Sequence, residues 1–181
     1  LYSAQLQLRI ALLEKLEETR MTEILKTIEL PVIDILTAME KNGVLIDVDF
    51  LNKESKTLAQ DLKKIEEEIY KEAGETFNIA SPKQLGQVLF EKMNLPKGKK
   101  TKTGYSTNNE VLENLEEFPI AKKIIEYREI AKLKSTYVDA LPTMVEPETG
   151  RIHTQYNQAL TATGRLSSVQ PNLQNIPIRT E

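Results

Sequence analysis

"GRIHTQYNQALTATGRLSSVQPNLQNIP", Gly150 to Pro177, is where the chain stops reading as helix. In its first part Ile152, Thr154 and Tyr156 alternate with His153, Gln155 and Asn157, the two-residue period of a strand with one face covered. Its second part, Thr161 to Pro177, sets one charge, Arg165, among hydroxyls and amides. Gly164 lets the backbone approach a partner closely, while Pro171 and Pro177 restrict the chain that carries the amides. That second part holds no cysteine, histidine or acid, so it suits neither metal ligation nor general-base chemistry.

Working outward, the rest of the chain reads as helix. "LYSAQLQLRIALLEKLEETRM" spaces Leu6, Ile10, Leu13 and Leu16 as an amphipathic helix expected to run until the chain reaches Pro31. "LPVIDILTAMEKNG" sets Val32, Ile35, Leu36 and Met39 on one face and stops at Asn42-Gly43. "VLID" then suggests a brief strand. Asp47 or Asp49 caps the longest helix, whose stripe is Leu51, Leu58, Leu62, Ile65 and Ile69 and whose stop is Gly74. Ser81 caps the next helix, with Pro82 at its first position. Thr107 is expected to cap another, Glu110 completing a capping box. A last helix runs from Pro119 to Pro142. The fold class expected is mainly α with a small β part, α+β.

Composition narrows the function. The 181 residues are 40% hydrophobic, enough to bury a core as one domain or two small subdomains. Apolar runs are only a few residues long, so no membrane span fits. The absence of cysteine excludes disulfide scaffolds and thiolate metal sites. A chain opening on Leu1 and stopping at Glu181 after a proline-punctuated segment reads as a piece of something longer. The net charge of -3 hides an asymmetry: residues 1–78 hold ten Lys or Arg against sixteen acids, and residues 79–181 fourteen against eleven. The back half therefore suits a polyanion. Its run "EKMNLPKGKKTKTGYST" reads as a mobile basic loop between two capped helices, and it includes Lys99, Lys100, Lys102, Thr103, Ser106 and Thr107. Taken alone, a solubilising lysine loop explains it as well.

Two constellations carry chemistry. Arg128 and Lys132 sit four residues apart on the last helix, with Ser135 and Thr136 a turn further on, a spacing that grips successive phosphates or simply faces water. Arg165, Asn172, Gln174 and Asn175 are donors suited to the minor-groove acceptors of nucleic acid, which lie in nearly the same place on every base pair. Such contacts test pairing geometry without reading sequence.

"TATGRLSSVQPNLQNIPIR" resembles the segment of family A DNA polymerases, of the bacterial polymerase I type, that lies just before their first catalytic carboxylate motif. The likeness extends back through "EYREIAKLKSTYVDALP", "TKTGYSTNNEVLENL", "FNIASPKQLGQVLFEKMNLP" and "PVIDILTAMEKNGVLID". It implies residues 1–29 as the end of an exonuclease-type domain, 30–48 as the start of the palm, 49–142 as a helical thumb with its basic tip at about 96–107, and 143–181 as partial palm. It further implies that the tip and the helix of Arg128 and Lys132 meet phosphates of primer-template duplex DNA, and that Arg165, Asn172, Gln174 and Asn175 meet its minor groove.

The family's metal aspartates lie beyond Glu181, so the resemblance gives this chain no catalytic residue and no metal ligand. The resemblance implies Mg2+ and deoxynucleoside triphosphates for the full-length polymerase only, expected to be a bacterial cytoplasmic, nucleoid-associated monomer acting in replication and repair. Asp139 and the Asp47/Asp49 pair match helix or turn positions, and Val169-Gln170 stands where many relatives have a more polar pair. The alternative is a free-standing, non-catalytic DNA-binding module or accessory protein. His153 is given no role.

Overall fold

The computed structural model describes residues 2–96, 100–101 and 104–177, with the backbone alone for Ser3, Lys100 and Thr101. The chain forms two compact units, one of Leu1–Ile46 with Met144–Asn175, the other centred on Asp47–Thr143.

The inserted unit is built on α4 (Val48–Ala73). Asp47 caps it, its carboxylate accepting from the Phe50 N–H at 2.9 Å, and Gly74 ends it in the left-handed conformation. The expected stripe faces inward at Leu58 and Ile69, both buried. Against it lies α7 (Pro119–Leu133), which continues through a π turn over Lys134–Val138. Ser81 caps α5 (Pro82–Gln87), which extends through a second π turn over Val88–Lys92. Leu85, Leu89, Phe90, Leu112, Ile120 and Ile124 close the core at 0–1% exposure, so truncating Phe90 to alanine would cost on the order of 3–5 kcal/mol. Polar ties pin the two long helices together. Lys123 on α7 reaches Glu68 at 3.0 Å and Glu72 at 2.6 Å on α4, and the Ser55 hydroxyl donates to Asp139 at 2.7 Å.

Within the basic loop, β1 (Lys100–Thr101) pairs antiparallel with β2 (Gly104–Tyr105), so part of the expected loop is a short hairpin. After it comes α6 (Asn109–Glu113). Its cap is Asn108, whose side chain accepts from the Val111 N–H at 3.1 Å, and not Thr107. The expected capping box is corrected by one residue because Thr107 is buried and its hydroxyl is taken up elsewhere.

In the other unit, α1 (Tyr2–Glu18) ends before Pro31, at Arg20. Arg20 takes a left-handed φ of 59° while the Met21 N–H bonds back to the Leu16 carbonyl, a Schellman stop. Helix resumes as α2 (Thr22–Ile24) and runs unbroken through a π turn at Leu25–Glu29 into α3 (Leu30–Asn42), past Pro31. Proline lacks an N–H and crowds the carbonyl one turn back; the widened turn lies in that place and accommodates it. On α1, Leu6, Ile10 and Leu13 are exposed, and on α3 only Leu36 of the expected face is buried. Expected strand "VLID" reduces to one bridge, Val44 with Ile152. Beyond it β3 (Gln155–Asn157) pairs antiparallel with β4 (Ser167–Val169), Tyr156 opposite Ser168.

Candidate nucleic-acid interface

The β3–β4 hairpin is tied to α3 at its base. His153 donates from Nδ1 to the Glu40 carbonyl at 2.7 Å, its Nε2 lies 2.7 Å from the Thr149 hydroxyl, and the Tyr156 N–H bonds the Glu40 carboxylate at 2.7 Å. The Gln158 amide donates to the carbonyl and the carboxylate of Glu29. His153 is thus a strand anchor. Ile152 and Thr154 point inward, and the Thr154 hydroxyl lies 2.7 Å from the Pro171 carbonyl and 3.1 Å from that of Val169.

From that base the loop between the strands presents Arg165. The Thr161 hydroxyl donates to the Arg165 carbonyl and Gly164 takes a φ of 73°, so the turn is closed beneath the residue. Its side chain is exposed and makes no hydrogen bond or ion pair with the described residues. Gln174 is placed differently: its Oε1 accepts from the Ser168 N–H at 3.1 Å and its Nε2 donates to the Leu166 carbonyl at 2.8 Å. Each end of that amide holds one bond along the edge of β4, and the second Nε2 hydrogen is left for a further acceptor. Asn172 is exposed, and its Oδ1 accepts from the Gln174 N–H at 2.9 Å, which leaves its amide nitrogen as the outward donor. Asn175 is exposed one residue further on.

In the inserted unit, α7 does not present its two cations alike. Arg128 lies four residues beyond Ile124 and eight beyond Ile120, on the row that faces the core. Its guanidinium donates through Nη1 to the Thr107 carbonyl and through Nη2 to the Thr107 hydroxyl at 3.2 Å. Burial holds its pKa below the usual arginine value, though an arginine stays charged at any working pH. Lys132 is exposed and unpaired among the described residues. Beside Arg128 opens a cleft of about 680 Å³ lined by Pro82, Lys83, Gln87, Tyr105 and Ser106. Lys99, Lys102 and Thr103 lie outside the described residues, and Lys100 is placed only as a residue of β1.

Sequence reasoning missed Asn108 as the cap, Thr107 as the partner of Arg128, and Glu29 and Glu40 as anchors of β3. The row Ile120, Ile124, Arg128 was the available sign that Arg128 turns inward. Among the described residues no three acids, histidines or cysteines come together as a metal site. Those residues do not fit the paired Mg2+ of the resemblance, and no metal-borne step is drawn from them. No described helix is long and apolar enough to cross a membrane.

By architecture this is a mainly helical α+β chain that sets an arginine unpaired among the described residues on a braced loop and an exposed lysine on a helix. The model of DNA polymerase family A matches residues 48–181. DNA polymerase I of Synechocystis is 57% identical over 162 residues, 88% of this chain and 16% of that protein. That of Bacillus subtilis is 51% identical over 96% of this chain and 20% of its own. The thermostable enzyme of Thermus thermophilus is 50% identical over 93% and 21%. The polymerase domain of Pol1 from M. smegmatis, solved with DNA primer-template and dNTP, superposes with a TM-score of 0.87 at 42% identity, covering 97% of this chain and 31% of that one. The chain belongs to DNA polymerase family A. It spans about a fifth of the length of the curated relatives it matches.

Proposed function

We propose that this chain is the duplex-gripping part of a bacterial DNA-directed DNA polymerase, a nucleotidyltransferase that extends a primer from deoxynucleoside triphosphates with Mg2+ during replication and repair. Residues 49–142 act as the thumb, and residues 30–48 and 143–181 as part of the palm. Lys132 and the tip residues Lys99, Lys100, Lys102, Thr103 and Ser106 meet phosphates, contacts that carry no sequence information and weaken steeply with salt. Arg165, Asn172 and Asn175 meet minor-groove acceptors behind the primer end. Gln174, with its amide engaged on β4, braces the loop. The chain grips DNA as a monomer in the bacterial cytoplasm and transfers no nucleotide by itself.

The observation that carries this reading is Arg165: exposed, unpaired among the described residues, and held on a loop closed by Thr161. An unpaired cation on a braced support is preorganised for an external acceptor. Fluorescence anisotropy with labelled primer-template tests it. Binding that prefers duplex over single strand and falls with salt is expected; equal affinity for both, or none, refutes it. A primer-extension assay on the same sample is expected to yield no product, and magnesium-dependent extension would refute the inactive reading.

A further inference from the structure

The resemblance treats Arg128 as a phosphate contact, yet one donor on each of its two terminal nitrogens is already engaged within the chain. Thr107, 5% exposed, offers its carbonyl and hydroxyl to the two terminal nitrogens of Arg128. Thr107 also occupies a junction: the segment leaves β2 at Tyr105 and enters the Asn108 cap of α6. The helix α5 also packs against the same segment. A Cβ placed on Gly86 would lie 3.5 Å from the Tyr105 carbonyl and 3.7 Å from the Thr107 methyl, and the rings of Phe90 and Tyr105 meet at a tilt of 52° with centroids 5.2 Å apart. The base of the hairpin is therefore held by both α5 and α7, and the α7 contact is the Arg128 fork.

We propose that Arg128 is a positioning residue: it latches the base of the β1–β2 hairpin onto α7 through Thr107 and so fixes the pose in which the basic tip meets duplex DNA, while Lys132 makes the phosphate contact on that face. This rests on the duplex-grip reading above. A planar two-pronged donor is needed for the paired carbonyl and hydroxyl, and a lysine, though equally charged, cannot reproduce it. Charge and geometry can thus be separated by substitution.

The experiment takes the 181-residue chain and its Arg128→Lys, Arg128→Ala, Thr107→Val and Lys132→Ala variants. It reads amide hydrogen exchange over residues 105–108, and duplex affinity across a salt series with a labelled primer-template. Arg128→Lys and Thr107→Val should each speed exchange at 105–108 by about tenfold, with α4 unchanged, because each removes a charge-assisted bond from a buried site. The double variant Arg128→Lys, Thr107→Val should open the segment no further than Arg128→Lys alone. Both single variants should weaken duplex binding without changing the salt slope, whereas Lys132→Ala should lower that slope by about one unit and leave exchange alone.

Wild-type exchange in Arg128→Lys overturns the latch. So does full duplex affinity in Arg128→Lys combined with a slope reduced by about one unit in Arg128→Ala, the pattern of a direct phosphate ligand. Absence of duplex binding in the unsubstituted chain would strike the DNA reading alone; the exchange measurement, which needs no DNA, then decides the latch by itself.

Discussion

Replacing Gly43 by alanine should dislodge the strand that carries the β3–β4 hairpin, at a cost that can be built from the coordinates. Gly43 ends α3 at φ 62° and ψ -177°, a region open essentially to glycine, so a side chain there costs roughly 1–3 kcal/mol in backbone strain. The new Cβ would also lie 2.8 Å from the Ile152 carbonyl oxygen and 2.8 Å from His153 Cε1. That oxygen cannot retreat freely, because it accepts the Val44 N–H at 2.8 Å while Val44 in turn accepts from Ile152 at 2.9 Å. Losing that bridge adds about 1 kcal/mol. The total is about 2–4 kcal/mol, which lowers protection of the Val44 and Ile152 amides by roughly thirty- to several-hundredfold in hydrogen exchange. Gly74 is the control. It too ends a helix at positive φ, 75° with ψ 4°, yet nothing lies within 4 Å of its Cβ position. Alanine there meets only the left-handed penalty, about 1 kcal/mol, and less than about tenfold in exchange at the end of α4. Equal effects at the two glycines, or an Ile152 amide indifferent to Gly43→Ala, would refute the reasoning.

Arg165→Ala, made in a full-length polymerase carrying this segment, should slow extension from matched primer ends by a similar factor for every terminal pair and slow mismatched ends less; a 3-deazapurine at the terminus should reproduce the loss without adding to it in steady-state extension rates. Gln174→Leu removes both bonds to β4 and should cost the Ser168 amide roughly tenfold or more in exchange protection, measured on the isolated chain. Lys134, and after it Ser55, hold the Asp139 carboxyl below the usual carboxylate range. A depressed pKa gives stability that is present above the unfolded value of about 4 and is lost as pH falls through the folded one. Asp139→Asn should therefore flatten the acid limb of a urea-midpoint profile, by less than about 1 kcal/mol because the pair is partly exposed.

What could be read in advance was local. Asp47, Gly74, Ser81 and Pro82 announce helix ends because a cap is satisfied within a few residues of itself. The period of Ile152, Thr154 and Tyr156 gave the extended stretch, of which only Gln155–Asn157 pairs as a strand while Ile152 forms an isolated bridge. The failures lie where a residue's partner is distant in sequence. Thr107 and Asn108 are both good cap residues, and only Arg128, twenty-one positions on, decides between them. β4 escaped notice because its inward residue is Ser168, buried at 1% exposure with its hydroxyl accepting from the Leu173 N–H, a pattern that hydrophobic alternation does not register. Of the candidate interface, Arg165 was legible as a lone charge among neutral donors. The commitment of Gln174 to its own backbone was not, since a glutamine reads the same whether it faces a base or a strand edge.

Val44 and Ile152, which form an isolated bridge, flank in sequence the unit centred on residues 47–143. Joining them in an unfolded chain means closing a loop about as long as that whole unit, an entropic cost that grows with the logarithm of its length. During synthesis α3 emerges early and has no strand to receive it until Ile152 follows. The inserted unit has all its core partners within reach sooner, so it is expected to fold first and the bridge to close late. A ribosome paused between these two moments would hold a finished helical unit and a waiting α3, and that interval is when the apolar residues of α3 are most open to misassociation.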